Sequence, residues 1–207
     1  MNIIDTFQDA AYAAPITTFQ DSCLRVPNWA RALTPRYAQF DHSCWKWIEI
    51  NHRYNSLLWD EEDLARRRHV PDAEIAANKR ASDSYNQSRN DAVERFDDLL
   101  LQALKPYVNH HAPLHAETAG MMVDRLSILA LKINAMAAQT MRTDVDESHR
   151  EQCREKLHGL HEQRTDLAGC LDTLIADCVT GRGRYKSYRQ YKMYNDAALN
   201  PQLYKRR

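Results

Sequence analysis

Glycine and proline are scarce in this chain, with 5 and 7 in 207 residues. An all-β fold needs more turn-forming residues than that, so a helical protein is expected. Long hydrophobic runs are missing too: no apolar stretch approaches the ~20 residues that span a bilayer. The N-terminal MNIIDTFQDAAYAAPITTF has no basic region, and Asp5, Gln8 and Asp9 break its apolar residues. No secretory leader is expected. Cys-x-x-Cys is absent; the five cysteines (Cys23, Cys44, Cys153, Cys170, Cys178) are odd in number and scattered. That is the pattern of reduced thiols in a soluble, cytoplasmic protein. An excess of one charge is lacking as well. Lys+Arg 28 balances Asp+Glu 28, so no net field draws the molecule to nucleic acid or anionic membrane.

Familiar catalytic signatures are also missing. There is no G-x-G-x-x-G, P-loop or G-x-S-x-G, and no cysteine stands beside an obvious histidine partner. His110, His111 and His115 cluster in sequence without a zincin spacing, so no metal site is expected.

What is present is helical periodicity. A first long helix is expected over about 36–68, stopped by Pro71. A second, capped by Asp72, should run from about 72 to 105 with the stripe Ile75, Lys79, Ser82, Asn86, Arg89, Val93, Phe96, Leu100, Ala103. A third starts near Thr118 and carries Met122, Leu126, Leu129, Ile133, Met136. The fourth opens on an Asp144/Glu147 capping box and carries Cys153, Leu157, Leu160, Arg164, Leu167, Leu171, Leu174, Cys178, with Gly181 as its C′ glycine. Short links make helices one and two, and three and four, antiparallel pairs. The expected fold is therefore all-α: a single domain with an antiparallel four-helix bundle (37–180), an N-terminal arm (1–36) and a basic, tyrosine-rich tail (181–207). Five tyrosines in that tail (Tyr185, Tyr188, Tyr191, Tyr194, Tyr204) imply that it packs, over the bundle or on a partner.

The stripes are not apolar throughout. One face of the first helix reads Ile48, His52, Asn55, Trp59, Glu62, Arg66 at 4-3 spacing, so these side chains share a side. Folding back at 68–72 sets Asn86 about level with His52 and Lys79 about level with Glu62. Asp83, Arg89 and Asn90 adjoin them, and Lys132 of the third helix is expected near the level of Asn90. Buried charges must pair, reach water or meet a ligand; solvated faces are the bland alternative. Arg164 is expected to pair with Asp124. His52 and Glu62 are ten residues apart, about 15 Å along a helix, too far to share a metal ion.

Four segments together carry a resemblance: HRYNSLLWDEEDLARR (52–67), EIAANKRASDSYNQSRND (74–91), ETAGMMVDRLSILALKI (117–133) and YKMYNDAALNP (191–201). Over about residues 40–201 the chain resembles a bacterial domain-of-unknown-function family, number 4254. Its His, Asn, Trp and Glu-Asp positions correspond to His52, Asn55, Trp59, Glu62 and Asp63. Its basic pair and Asn-x-x-Arg-Asn run correspond to Lys79, Arg80, Asn86, Arg89 and Asn90. Its Asp-Arg-Leu-Ser-Ile-Leu element corresponds to 124–129, with Lys132 beyond. Ala197 departs from the pattern, where proline is expected. The resemblance implies no reaction and no cofactor, only an association with glycosyltransferases of envelope polysaccharide synthesis and hence with glycan biosynthesis.

Two readings follow. In the first, a pocket takes a small anionic, phosphorylated or glycosylated metabolite. Lys79, Arg89 and Lys132 meet anionic oxygens, Asn55, Asp83, Asn86 and Asn90 take polar groups, and Trp59 offers a sugar or base face. His52 or Glu62 is the general acid or base. In the second, the chain is a structural or adaptor protein: the polar layer fixes register, and the tail docks a second copy or a glycosyltransferase.

Overall fold

The computed structural model describes residues 11–191, 193 and 196–205, and in it the four periodic stretches are helices. They are α3 (Cys44–Leu64), α4 (Asp72–Leu104), α5 (Ala119–Thr140) and α6 (Glu147–Val179). Two short helices precede them, α1 (Ala13–Leu24) and α2 (Trp29–Ala32), and α7 (Pro201–Tyr204) follows. Among the described residues, strand is confined to one parallel pair of two-residue strands, β1 (Leu114–His115) and β2 (Arg184–Tyr185). The chain is all-α. Among the described residues, no helix is long and apolar enough to cross a membrane.

Local chemistry sets the ends. Helix α3 starts eight residues later than its periodicity predicts. Ser43 caps it, its hydroxyl accepting from Trp45 N at 3.2 Å. The preceding turn is pinned because the Glu49 carboxylate accepts from the Arg36 and Tyr37 amides, both at 2.8 Å. Asp72 does not cap α4. Pro71 holds that position, and Asp72 lies inside the first turn, where a carboxylate favours the helix dipole. Thr118 caps α5, accepting from Met121 N at 3.1 Å. The cap of α6 is Asp146, which accepts from His149 N at 2.7 Å. Asp144, the expected cap, is held outside the helix by Arg142 at 2.6 Å. Gly181 stands past the end of α6 at φ +69, where a side chain is disfavoured.

Helices α3 and α4 form an antiparallel hairpin, as side-chain pairs of opposed order show. Asn78 Nδ2 donates to Glu61 at 2.7 Å, and Tyr54 and Tyr85 meet at 5.8 Å between centroids. Helices α5 and α6 make the second hairpin. Helix α5 is the hub, packing on α1, α3, α4 and α6. Helix α1 occupies the space between α3, α5 and α6, and Ile16 and Phe19 join the main core with Ile48, Phe96, Leu126, Leu171 and Leu174. Arg164 consequently reaches α1, pairing with Asp21 at 3.0 Å and donating to the Thr17 carbonyl at 2.9 Å. The expected Arg164–Asp124 pair is not formed. Nor is Cys153 without a histidine: His149 Nε2 lies 3.4 Å from its sulfur, one turn earlier in α6.

Candidate functional site

The polar layer begins at Asp124, which α5 presents to α3 and α4. Its Oδ1 accepts from Asn51 Nδ2 at 2.8 Å and from Asn55 Nδ2 at 2.9 Å. Asn51 and Asn55 are one turn apart, so one face of α3 brings both carboxamides to one oxygen. Asn55 Nδ2 also lies 3.0 Å from Ser127 Oγ, which is 2.8 Å from His52 Nδ1. His52 Nε2 is 3.1 Å from the Gln20 carbonyl. A carbonyl only accepts, so Nε2 carries the proton and Nδ1 accepts from the Ser127 hydroxyl. The chain of donors then runs from Asn55 to Ser127 to His52 to Gln20. Trp29 stacks on the imidazole at 5.0 Å, and the Arg53 guanidinium lies over the indole ring at 4.9 Å. Burial pushes the His52 pKa down to about 3, opposed by the Gln20 carbonyl and aided by Arg164 and Arg53. His52 is neutral and sealed.

Arg89 connects this layer to the surface. It donates to Asn90 Oδ1 at 3.0 Å and lies 3.4 Å from Asp124 Oδ2. Charge-assisted bonds of this type run at about 2.7–2.9 Å, so Asp124 holds Arg89 loosely. Its Nε is buried and has no hydrogen-bond partner. The same holds for the hydroxyl of Ser82, which is 3% exposed. These two residues lie on one face of α4, and helical side chains lean toward the N-terminus, which tips Arg89 toward Ser82.

Both line a groove of about 470 Å³ between α3, α4 and α5. Helix α3 contributes Asn55, Leu58, Trp59, Glu62 and Asp63, the turn after it Arg66, α4 adds Lys79, Asp83 and Asn86, and Ile128 and Leu131 of α5 form the apolar side. Charges balance along its length. Lys79 is paired with Asp83, Arg66 lies 3.4 Å from Glu62, and Arg89 faces Asp124.

Of the ten residues singled out from the sequence, seven meet here: Asn55, Trp59, Glu62, Lys79, Asp83, Asn86 and Arg89. Three do not. His52 lies in the layer behind, with both ring nitrogens engaged and no exposed surface. Asn90 is buried on the far side of Arg89, where its Oδ1 also accepts from Gln190 Nε2 at 3.3 Å. Lys132 is exposed and lies level with Trp59 and Asp63, not with Asn90. The α5 residue at the level of Asn90 is Asp124. Ser82, Asp124, Asn51 and Ser127 were not singled out as site residues, although Asn51 precedes Asn55 by one turn and Ser127 follows Asp124 by three residues.

The tail packs on the bundle as far as Gln190. Tyr185 is buried, Arg189 pairs with Glu94 and Asp98 at 2.9 Å, and the Gln190 amide donates to Glu94 at 3.0 Å. It runs along α4 beside the polar layer. Tyr188, Tyr191 and Tyr204 are exposed, and Tyr194 lies outside the described residues.

The fold and site thus define an all-α protein with a polar groove backed by a buried carboxamide–carboxylate–imidazole layer. The family model described as "Protein of unknown function (DUF4254)" matches residues 45–187, and the chain belongs to that family. Every groove residue falls within the match; α1 and the 191–201 segment fall outside it. No curated protein and no solved structure matches the chain.

Proposed function

We propose that the groove between α3, α4 and α5 binds a small phosphorylated sugar-type metabolite. The observation that carries this reading is the groove itself, one wall of which is formed by Ser82 and Arg89, with Ser82 Oγ and Arg89 Nε buried beneath it as donors without partners. An unsatisfied buried donor costs about 1–3 kcal/mol, and turning either side chain toward a ligand oxygen in the groove removes that cost. The surrounding residues fit the rest of such a molecule. Phosphate oxygens take Arg89 with Lys79 or Arg66, sugar hydroxyls donate to Glu62, Asp63 or Asp83, and Trp59 packs on the sugar face. Any proton transfer in the groove falls to these carboxylates, with Glu62 the favoured one, because His52 is sealed and neutral.

Thermal shift with inorganic phosphate and glucose 1-phosphate tests the reading. The expected result is a saturable rise in Tm that Arg89→Gln abolishes and Ser82→Ala weakens. The Ser82 hydroxyl makes no bond in the fold, so Ser82→Ala retains stability and isolates ligand binding from folding. Absence of any shift at millimolar ligand refutes the reading.

A further inference from the structure

A second groove, of about 740 Å³, lies on the other side of Trp59. Trp59 and Asp63 line both grooves, so the two adjoin at these side chains. Their chemistry differs. The second is lined by Ala135, Met136, Gly159 and Leu160, with Lys132, Lys156, Gln139 and Gln163 around them. Lysine stems line apolar surface while their ammonium groups stay in water.

Gly159 lines this groove. It lies deep inside the 33-residue helix α6, where glycine costs about 1 kcal/mol relative to alanine. Close packing does not require it: a Cβ at this position meets nothing within 4 Å. Its effect is to leave the groove floor open. By contrast Gly120, in α5, is dictated by contact, since a Cβ there lies 2.7 Å from the Val93 carbonyl oxygen.

We infer that the ligand is an amphiphile, its anionic head in the first groove and an apolar chain passing over Trp59 into the second. This rests on the reading of the first groove as an anion site. It assigns Lys132 a place beside the chain, not at the phosphate.

Isothermal titration calorimetry with inorganic phosphate, butyl phosphate and octyl phosphate, all below micelle-forming concentrations, tests the inference. Burying each added methylene strengthens binding by up to about fourfold. Octyl phosphate should therefore bind at least about tenfold tighter than butyl phosphate. Gly159→Leu, which extends a branched side chain from a position where a Cβ meets nothing within 4 Å, should remove that difference. Gly169→Leu, also in open space on α6, should keep it. Equal affinities for the two alkyl phosphates in the unaltered protein overturn the chain site while leaving the head-group site standing. Failure of all three probes to bind overturns both.

Discussion

Acidification tests the buried layer directly, because two sealed groups respond to it with opposite sign. His52 has its pKa pushed from 6.5 to about 3 by burial. It binds a proton in the unfolded chain before the folded one does, so its contribution is present above pH 6.5 and is lost as pH falls toward 3. Asp97 behaves the other way. Burial raises its pKa from 3.8 to about 6, against the Thr118 hydroxyl and Gly120 amide that donate to it at 2.5 and 2.8 Å; Asp98 and Glu94 add to the rise. The folded state protonates first, so Asp97 adds stability as pH falls from 6 to 3.8. Between pH 7 and pH 4 the His52 effect amounts to a loss of about 3 kcal/mol and the Asp97 effect to a gain of about 2 kcal/mol. The two largely cancel. Urea unfolding followed by far-UV circular dichroism at pH 7, 6, 5 and 4 separates them. Relative to the unaltered protein, His52→Gln should gain about 3 kcal/mol on going from pH 7 to pH 4, and Asp97→Asn should lose about 2 kcal/mol. Surface carboxylates titrate alike in all three proteins and drop out of the comparison. A His52→Gln pH profile parallel to the unaltered one refutes the neutral, sealed imidazole.

Gly120→Ala should destabilise by about 1–3 kcal/mol through overpacking, because the added methyl meets the Val93 carbonyl and the Asp97 carboxylate at 2.7 and 2.8 Å; unfolding at the midpoint of the unaltered protein refutes this. Tyr185→Ala should cost about 3–5 kcal/mol, since the ring is buried in the core. Tyr185→Phe should be neutral or stabilising by up to about 1 kcal/mol because its hydroxyl has no partner. A loss of about 1 kcal/mol or more in Tyr185→Phe shows instead that the hydroxyl is bonded.

The helices were legible because their stripes are long. Val93, Phe96 and Leu100, and Met122, Leu126, Leu129 and Ile133, are buried where a 3.6-residue period places them. The short 65–71 link made the level of α4 against α3 countable, which is why residues from both helices met in one groove. Lys132 was misplaced by level: α5 begins at Ala119, where it is expected, but its position opposite Asn90 is reached already at Asp124. It also adjoins Ile133 in sequence, about 100° around the helix from the buried stripe. Arg164 was misassigned for a different reason. Helix α1 is short and leaves no long stripe to read, yet it fills the space that Arg164 faces. The cap at Asp146 instead of Asp144 is a two-residue boundary error of the kind that periodicity alone does not resolve.

Stability alone does not account for the layer. Asp124, Asn51, Asn55, Ser127 and His52 occupy space that apolar side chains of similar volume fill at equal or lower free energy. What the layer fixes is geometry. Asn51 and Asn55 both donate to Asp124 Oδ1, leaving Oδ2 to face Arg89 at 3.4 Å. Two donors on the carboxylate withdraw part of its charge from the guanidinium, and Asn90 orients the guanidinium from the other side at 3.0 Å. Arg89 is therefore positioned without a tight ion pair. Replace both carboxamides by leucine and Asp124 turns its full charge on Arg89, forming a tight pair that closes the groove floor to an anion. Under the proposed function, the buried layer keeps a cation ready for the ligand by moderating the carboxylate that would otherwise quench it.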